Sequence, residues 1–261
     1  MDFSNKSIGF VLSGGGSKGL AQAGAIKYLE EQNIKPNYIA GTSAGAIIGA
    51  LYAWGKSPEE IVTFFKSIYF FHWKHITLRK PGIIDSNSFK NYFFEIFGEA
   101  TIGDFPVKLY ITATDMINGE LVVFTKKTKI VDALLASSAF PGVISPYVID
   151  NKVFCDGGIL NHFPTDLLLD KCDYTIGIYV SPLEKISSSN LKSIRSITSR
   201  AFDLFYSNSN IPKFKYCDCI IEPTELFRFG TFETNKSKMD AIFTIGYEAA
   251  RKSITSLPHK M

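Results

Sequence analysis

The sequence predicts an α/β protein with a central, mostly parallel sheet covered on both faces. Three observations carry that expectation. Short apolar runs of strand length alternate with segments of helical periodicity, the pattern of parallel strands joined through helices. A glycine triplet, Gly14-Gly15-Gly16, follows the first apolar run, and a G-x-S-x-G, Gly41-Thr42-Ser43-Ala44-Gly45, follows the second. Gly16 and Ser43 are 27 residues apart. One βαβ unit takes about 30 residues, so both motifs can sit at the same end of neighbouring parallel strands.

The elements follow in order. Ile8 to Leu12 reads as the first strand. Residues from about Gly19 to Gln32 carry Leu20, Ala23, Ile26 and Leu29 at helical spacing, and Pro36 follows as a stop. Tyr38 to Gly41 is a short strand leading to Ser43. From Tyr38 to Gly55 there is no charge, and Gly41, Gly45 and Gly49 form a G-x-x-x-G ladder that also marks transmembrane dimer faces. The run is barely long enough to span a bilayer and is diluted by Gly, Thr and Ser, which favours a helix to about Trp54 buried against the sheet. Ser57-Pro58-Glu59-Glu60 is a helix start, with an N-cap serine, proline in the first turn and then acids; that helix is expected from Ile61 to about Phe71. Lys108 to Asp115 and Glu120 to Thr125 form a hairpin around Asn118-Gly119. Ile130 to Ser138 is a short helix. Val148 to Ile149 and Lys152 to Cys155 flank a tight turn at Asp150-Asn151. Tyr174 to Val180 is a buried strand. A polar segment opening at Ser187 precedes a helix to about Tyr206, then a strand from Cys217 to Glu222 and a last helix from Ser237 to about Ser253. No linker, repeat or low-complexity tract interrupts the chain, so residues 1–261 are read as a single domain.

Composition narrows the function classes. The 261 residues are 46% hydrophobic and 20% charged, ordinary for a globular protein, and the net charge is only +3. The one basic cluster, Lys126-Lys127-x-Lys129, reads as a solvated turn, and nothing indicates nucleic acid. Four scattered cysteines, Cys155, Cys172, Cys217 and Cys219, make no disulfide framework. Cys217-x-Cys219 lacks a second pair or a flanking His, and both thiols are expected on one face of a strand; no metal or other cofactor is expected. The N-terminus lacks the apolar core of a secretory signal. A cytoplasmic protein is expected, with peripheral membrane contact through the aromatic stretch 64–97. That stretch holds Phe64, Phe65, Tyr69, Phe70, Phe71, Trp73, Tyr92, Phe93, Phe94 and Phe97 with Lys and His interleaved. Its functional reading is an acyl-chain pocket or lipid-facing surface, and its structural reading is core.

The chemistry rests on the two glycine motifs. A G-x-S-x-G places its serine on a sharp strand-to-helix turn, with glycines where side chains would clash. The triplet can offer main-chain N–H groups to a developing oxyanion. Gly14-x-Gly16-x-x-Gly19 also matches a dinucleotide fingerprint, but the tip of the second strand carries Gly41-Thr42-Ser43 where an acid is needed. A P-loop fails because Leu20 follows Gly19. Ser43 needs a base. Of His72, His75, His162 and His259, only His162 lies near other unusual residues. The alternative is an acid acting alone: Asp156-Gly157-Gly158 closes a strand, and a carboxylate fixed beside the serine and shielded from water can take its proton.

GGGSKG, GTSAG and DGG, in that order, resemble the patatin-like phospholipases. The likeness continues through ATDMINGELVVF and ASSAFPGVISPYVIDNKVFCDGGILNHFP, which includes Asn161 and Pro164, and covers roughly residues 7 to 180. The resemblance implies a three-layer α/β/α fold and hydrolysis of lipid acyl esters by a Ser-Asp dyad through an acyl-enzyme. It implies Ser43 as nucleophile and Asp156 as base, with N–H groups of Gly14, Gly15, Gly16 and Ala44 as the oxyanion hole. Lys18, Gly41, Gly45, Gly157 and Gly158 would support the site. A lipid or other acyl ester is the implied substrate. General esterase, thioesterase or acyltransferase chemistry on the same residues, and a non-catalytic membrane-associated protein, are the alternatives.

Overall fold

The computed structural model describes residues 3, 5–68, 75–77 and 80–256. In chain order the elements are β1 (Ile8–Leu12), α1 (Leu20–Glu31), β2 (Tyr38–Thr42), α2 (Ala44–Ala53), α3 (Pro58–Ser67), α4 (Lys90–Phe97), β3 (Lys108–Asp115) and β4 (Glu120–Val123). They continue with α5 (Ile130–Ser137), β5 (Tyr147–Ile149), β6 (Lys152–Asp156), α6 (Gly158–Asn161), β7 (Tyr174–Ile178), α7 (Ile194–Asn210), β8 (Cys219–Ile221) and α8 (Lys236–Thr255). Eight strands form one sheet in the order β5-β6-β3-β2-β1-β7-β8, with β4 paired to β3 beside that path. β3, β2, β1, β7 and β8 run parallel, whereas β4, β5 and β6 are antiparallel additions at one side. The sheet is therefore mixed and mostly parallel, with helices on both faces.

Alternation along the parallel strands sorts side chains to two faces. Phe10, Leu12, Ile39 and Ile111 join the large core beneath α1, α2 and α8. Val11 and Ala40 point the other way, to a smaller cluster with Phe163, Leu168 and Tyr179. That second face is covered by short pieces: α6 and the 3-10 turns Thr165–Leu168 and Ile211–Tyr216. α1 and α8 cross so closely that a Cβ on Gly246 would lie 2.5 Å from the Ala21 backbone.

Local chemistry explains the boundaries. Ser57 caps α3 through a full capping box with Glu60. α3 ends at Ser67, short of the expected Phe71; Tyr69, Phe70, Phe71, His72 and Trp73 lie outside the described residues. Asp150 and Asn151 both take positive φ, 48° and 63°, the mirror-image turn that suits a two-residue hairpin between β5 and β6. α7 runs four residues past Tyr206, and α4 was not anticipated. In the described part of the aromatic stretch, Phe65, Phe89, Phe93 and Phe97 are core. Cys217 and Cys219 do not share a face: β8 begins only at Cys219, which joins the large core, while Cys217 packs against the smaller cluster. The G-x-x-x-G ladder is split, with Gly41 in β2 and Gly45 and Gly49 on buried α2, and no helix among the described residues is long and apolar enough to cross a membrane.

Candidate active site

Register brings the motifs to one edge of the sheet. Leu12 of β1 pairs with Gly41 of β2, so the glycine loop and Ser43 emerge side by side. Thr42 pairs with Thr112 of β3, and the next residue, Ala113, pairs with Asp156 of β6. Ser43 and Asp156, 113 positions apart in the chain, thus meet across β3.

Ser43 alone makes the turn between β2 and α2, at φ 54° and ψ −124°. Such a backbone costs a non-glycine residue about 1–3 kcal/mol and must be held by its surroundings. Part of the hold is local: the Ser43 N–H donates to Ser137 Oγ at the end of α5, 2.9 Å away. Part is close packing. A Cβ on Gly41 would lie 2.6 Å from the Gly45 carbonyl oxygen, and one on Gly45 would lie 2.6 Å from that of Ser13. Either side chain would push the first turn of α2 away from β1 and β2.

Asp156 ends β6 and is only 2% exposed. Its amide donates to the Ala139 carbonyl (2.9 Å), and Thr114 Oγ1 donates to its own carbonyl (2.9 Å), which fixes its backbone. Gly157 precedes α6, and the N–H of Gly158 donates to Asp156 Oδ1 at 2.7 Å. Burial raises the Asp156 carboxyl to about 6, and hydrogen bonding from the Ser43 hydroxyl and the Gly158 amide opposes that rise. The carboxylate is thus a far better proton acceptor near neutrality than an ordinary aspartate.

The glycine loop leads from β1 into a 3-10 turn, Gly16–Gly19. The Gly14 N–H donates to the His162 carbonyl at 3.0 Å, so it is already engaged. The amides of Gly15, Gly16 and Ala44 donate to no backbone carbonyl or side chain among the described residues. Gly16 has φ +57°, and a Cβ there would collide with Thr231. The Ser17 N–H donates to the Thr231 carbonyl (2.7 Å) and its hydroxyl to the Glu233 carbonyl (3.0 Å), so the segment before α8 braces the loop. Lys18 is half-buried; burial lowers its pKa, and Asp203 of α7 acts in the opposite sense.

His162 lies beside the pair without joining it. Its ring stacks on Tyr206 of α7, with centroids 4.1 Å apart and planes at 11°, and Nε2 pairs with Ser181 Oγ at 3.0 Å. Burial, with Lys213 nearby, holds it neutral, down to about 3. His75 packs against Phe89 and Tyr92, and His72 and His259 are outside the described residues. Just past Asp156, Lys213 Nζ donates to Asn161 Oδ1 (2.6 Å), while Asn161 Nδ2 donates to Asp166 (2.9 Å). A narrow apolar cavity of about 30 Å³ lies between Ile47, one turn along α2 from Ser43, and Ile68, Phe89, Phe93 and Leu135. Sequence reasoning missed Ser137 and Tyr206. Ser137 sits in an unremarkable A-S-S-A run, and Tyr206 reaches the site only through tertiary packing.

Known proteins resemble this chain in sequence and in fold. The chain is 31% identical over 173 residues to an uncharacterized NTE family protein of Mycobacterium tuberculosis, covering 62% of this chain and 45% of that one. It is 29% identical over 166 residues to lysophospholipase NTE1 of Phaeosphaeria nodorum, covering 60% of this chain and 11% of that one. The chain therefore spans less than half the length of these relatives. Among solved structures, VipD from Legionella pneumophila superposes with a TM-score of 0.58 at 16% identity, over 96% of this chain and 67% of that one. The type III effector ExoU superposes with 0.51 at 17% identity, over 95% and 53%; at such identities the likeness is one of fold. The family model described as patatin-like phospholipase matches residues 10–169, more than half of the chain, and the protein belongs to that family.

Proposed function

We propose that the protein hydrolyses acyl esters of lipids with Ser43 as nucleophile and Asp156 as its base. The observation that carries this reading is the buried Asp156 carboxyl brought beside Ser43 across β3, at the strand ends where the glycine-loop amides emerge. Ser43 Oγ attacks the ester carbonyl carbon while its proton passes to Asp156. The oxyanion is met by the N–H groups of Gly15, Gly16 and Ala44; Gly14, whose amide is engaged, supports the loop instead. The C–O bond to the alcohol breaks, the alcohol leaves with the proton from Asp156, and the acyl group stays on Ser43. Water then attacks that acyl carbon, Asp156 takes the water's proton, and the proton returns to Ser43 as the acid departs. Lys18 stiffens the loop, and the other glycines permit the close approaches already described.

The lipid preference is inferred from the family and from the relative named as a lysophospholipase. An acyl chain can enter along the apolar lining of Ile47, Phe89 and Phe93, which must part to admit more than a few atoms. The test compares wild type with Ser43→Ala on lysophospholipid, diacyl phospholipid, a short-chain ester and an acyl thioester. Each is also challenged with a serine-directed covalent probe. The expected result is lipid ester turnover and labelling at Ser43, both lost in the variant. Turnover retained by Ser43→Ala would sink the assignment, and a preference for the thioester would move the substrate class.

A further inference from the structure

The outer face of α7 is apolar where an ordinary surface helix would be polar. Ile194, Ile197, Leu204 and Phe205 stand at i, i+3, i+10 and i+11, which is one stripe, and they are 88%, 56%, 48% and 53% exposed. The stripe continues into exposed Leu191 before the helix and Ile211 after it. Among the described residues, nine of the nineteen exposed large hydrophobic side chains fall between positions 183 and 216, so the enrichment is local. The inner face of the same helix covers the active site. Tyr206 stacks on His162, Phe202 packs on Phe140 with ring centroids 5.4 Å apart, and Asp203 acts on Lys18 of the glycine loop.

Charge in this segment has one dominant sign. Residues 181–216 hold six basic side chains (Lys185, Lys192, Arg195, Arg200, Lys213 and Lys215) against two acids, Glu184 and Asp203. The segment carries a net +4 in a chain of net +3, so the remainder is close to neutral. Exposed Ile, Leu and Phe, with Arg195 and Arg200 in the helix sequence and Lys185 and Lys192 before it, suit the boundary between acyl chains and anionic head groups. Protein interfaces draw more on Trp and Tyr at their centres, and the stripe from Leu191 to Ile211 exposes Ile, Leu and Phe instead.

We propose that α7, with its flanking residues 183–193 and Ile211, docks on an anionic lipid surface and so brings the active-site edge to its substrate. The choice of lipid as occupant rests on the lipid-hydrolase reading above, but docking can be measured without catalysis. The experiment uses the full chain carrying Ser43→Ala, with vesicles of phosphatidylcholine alone or mixed with phosphatidylglycerol, read by flotation. Binding to the mixed vesicles is expected to exceed binding to neutral ones by about tenfold at low salt and to weaken as salt rises. Ile194→Glu with Ile197→Glu, and separately Leu204→Glu, should each lower that binding by about tenfold or more. In an otherwise wild-type background the same changes should leave short-chain ester turnover within about twofold, because the altered side chains face away from Ser43. Lys185→Glu with Lys192→Glu should remove the anionic preference.

Vesicle binding that is absent, or unchanged in the α7 variants, overturns the proposal. So does a wild-type dimer that these variants convert to monomer while vesicle binding persists, since the stripe would then belong to a second copy. Vesicle docking by α7 in a protein without esterase activity would overturn the catalytic reading and leave this one standing.

Discussion

As the proposed base, Asp156 serves catalysis at the expense of the fold. Its carboxyl is raised from 3.8 to about 6 by burial, so the native state prefers the neutral form. The stability this group contributes is full below about pH 4 and is lost as pH rises through about 6. The shift is worth about 3 kcal/mol at about 1.4 kcal/mol per unit. Asp156→Asn should therefore stabilise the protein by about 1–3 kcal/mol at pH 8 while abolishing turnover; urea unfolding of a less stable variant would contradict this. Catalysis runs in the opposite sense, because the base must be charged. kcat/KM should hold level above about pH 6 and fall about tenfold per unit below it, with no second step from His162, which is already neutral. At this scale the sequence was informative where residue type is restricted. Ser43 and the glycines around it were legible because few side chains fit a turn at φ 54°. Ser137 was not, since its role depends on where α5 ends relative to β2.

Elements were legible wherever a stop signal accompanied a period. Ser57-Pro58 and Asn118-Gly119 mark their boundaries in the chain itself, and α3 and the β3–β4 hairpin begin and turn there. α4 has no capping side chain at Phe89, and four of its eight residues are aromatic and fall on more than one face, which hides the period. The spacing of Phe89, Phe93 and Phe97, all buried, was the available signal. The pairing of β3 with β6 was hidden, because strand partners distant in the chain are fixed by the fold and not by any one strand. The α1–α8 crossing yields a prediction of its own. Gly246→Val would drive a branched side chain into the Ala21 backbone, and a loss of about 2–3 kcal/mol in chemical unfolding is expected. An unaffected midpoint would mean that the helices can part at little cost.

The molecule as a whole is wider than its motifs. The recognisable stretch covers residues 10–169, yet β8, α7 and α8 contribute the sheet's far edge, the wall over Asp156 and the cover of α1. We expect residues 1–261 to behave as one cooperative unit. A fragment of residues 1–180 should show no ester turnover and no serine-probe labelling, and it should lack a sharp unfolding transition; a folded, active fragment would refute this.

The tether between Ser17 and the turn before α8 has a further implication for how such proteins diverge. Both acceptors are peptide oxygens, those of Thr231 and Glu233, so the side chains at those positions are not the point of attachment. Substitution at Thr231 is compatible with the tether provided the main chain keeps its path, whereas the Glu233 carboxylate also accepts from the Thr234 and Asn235 amides. A neighbour of the candidate site can therefore change its side chain at Thr231 while its backbone still steadies the glycine loop.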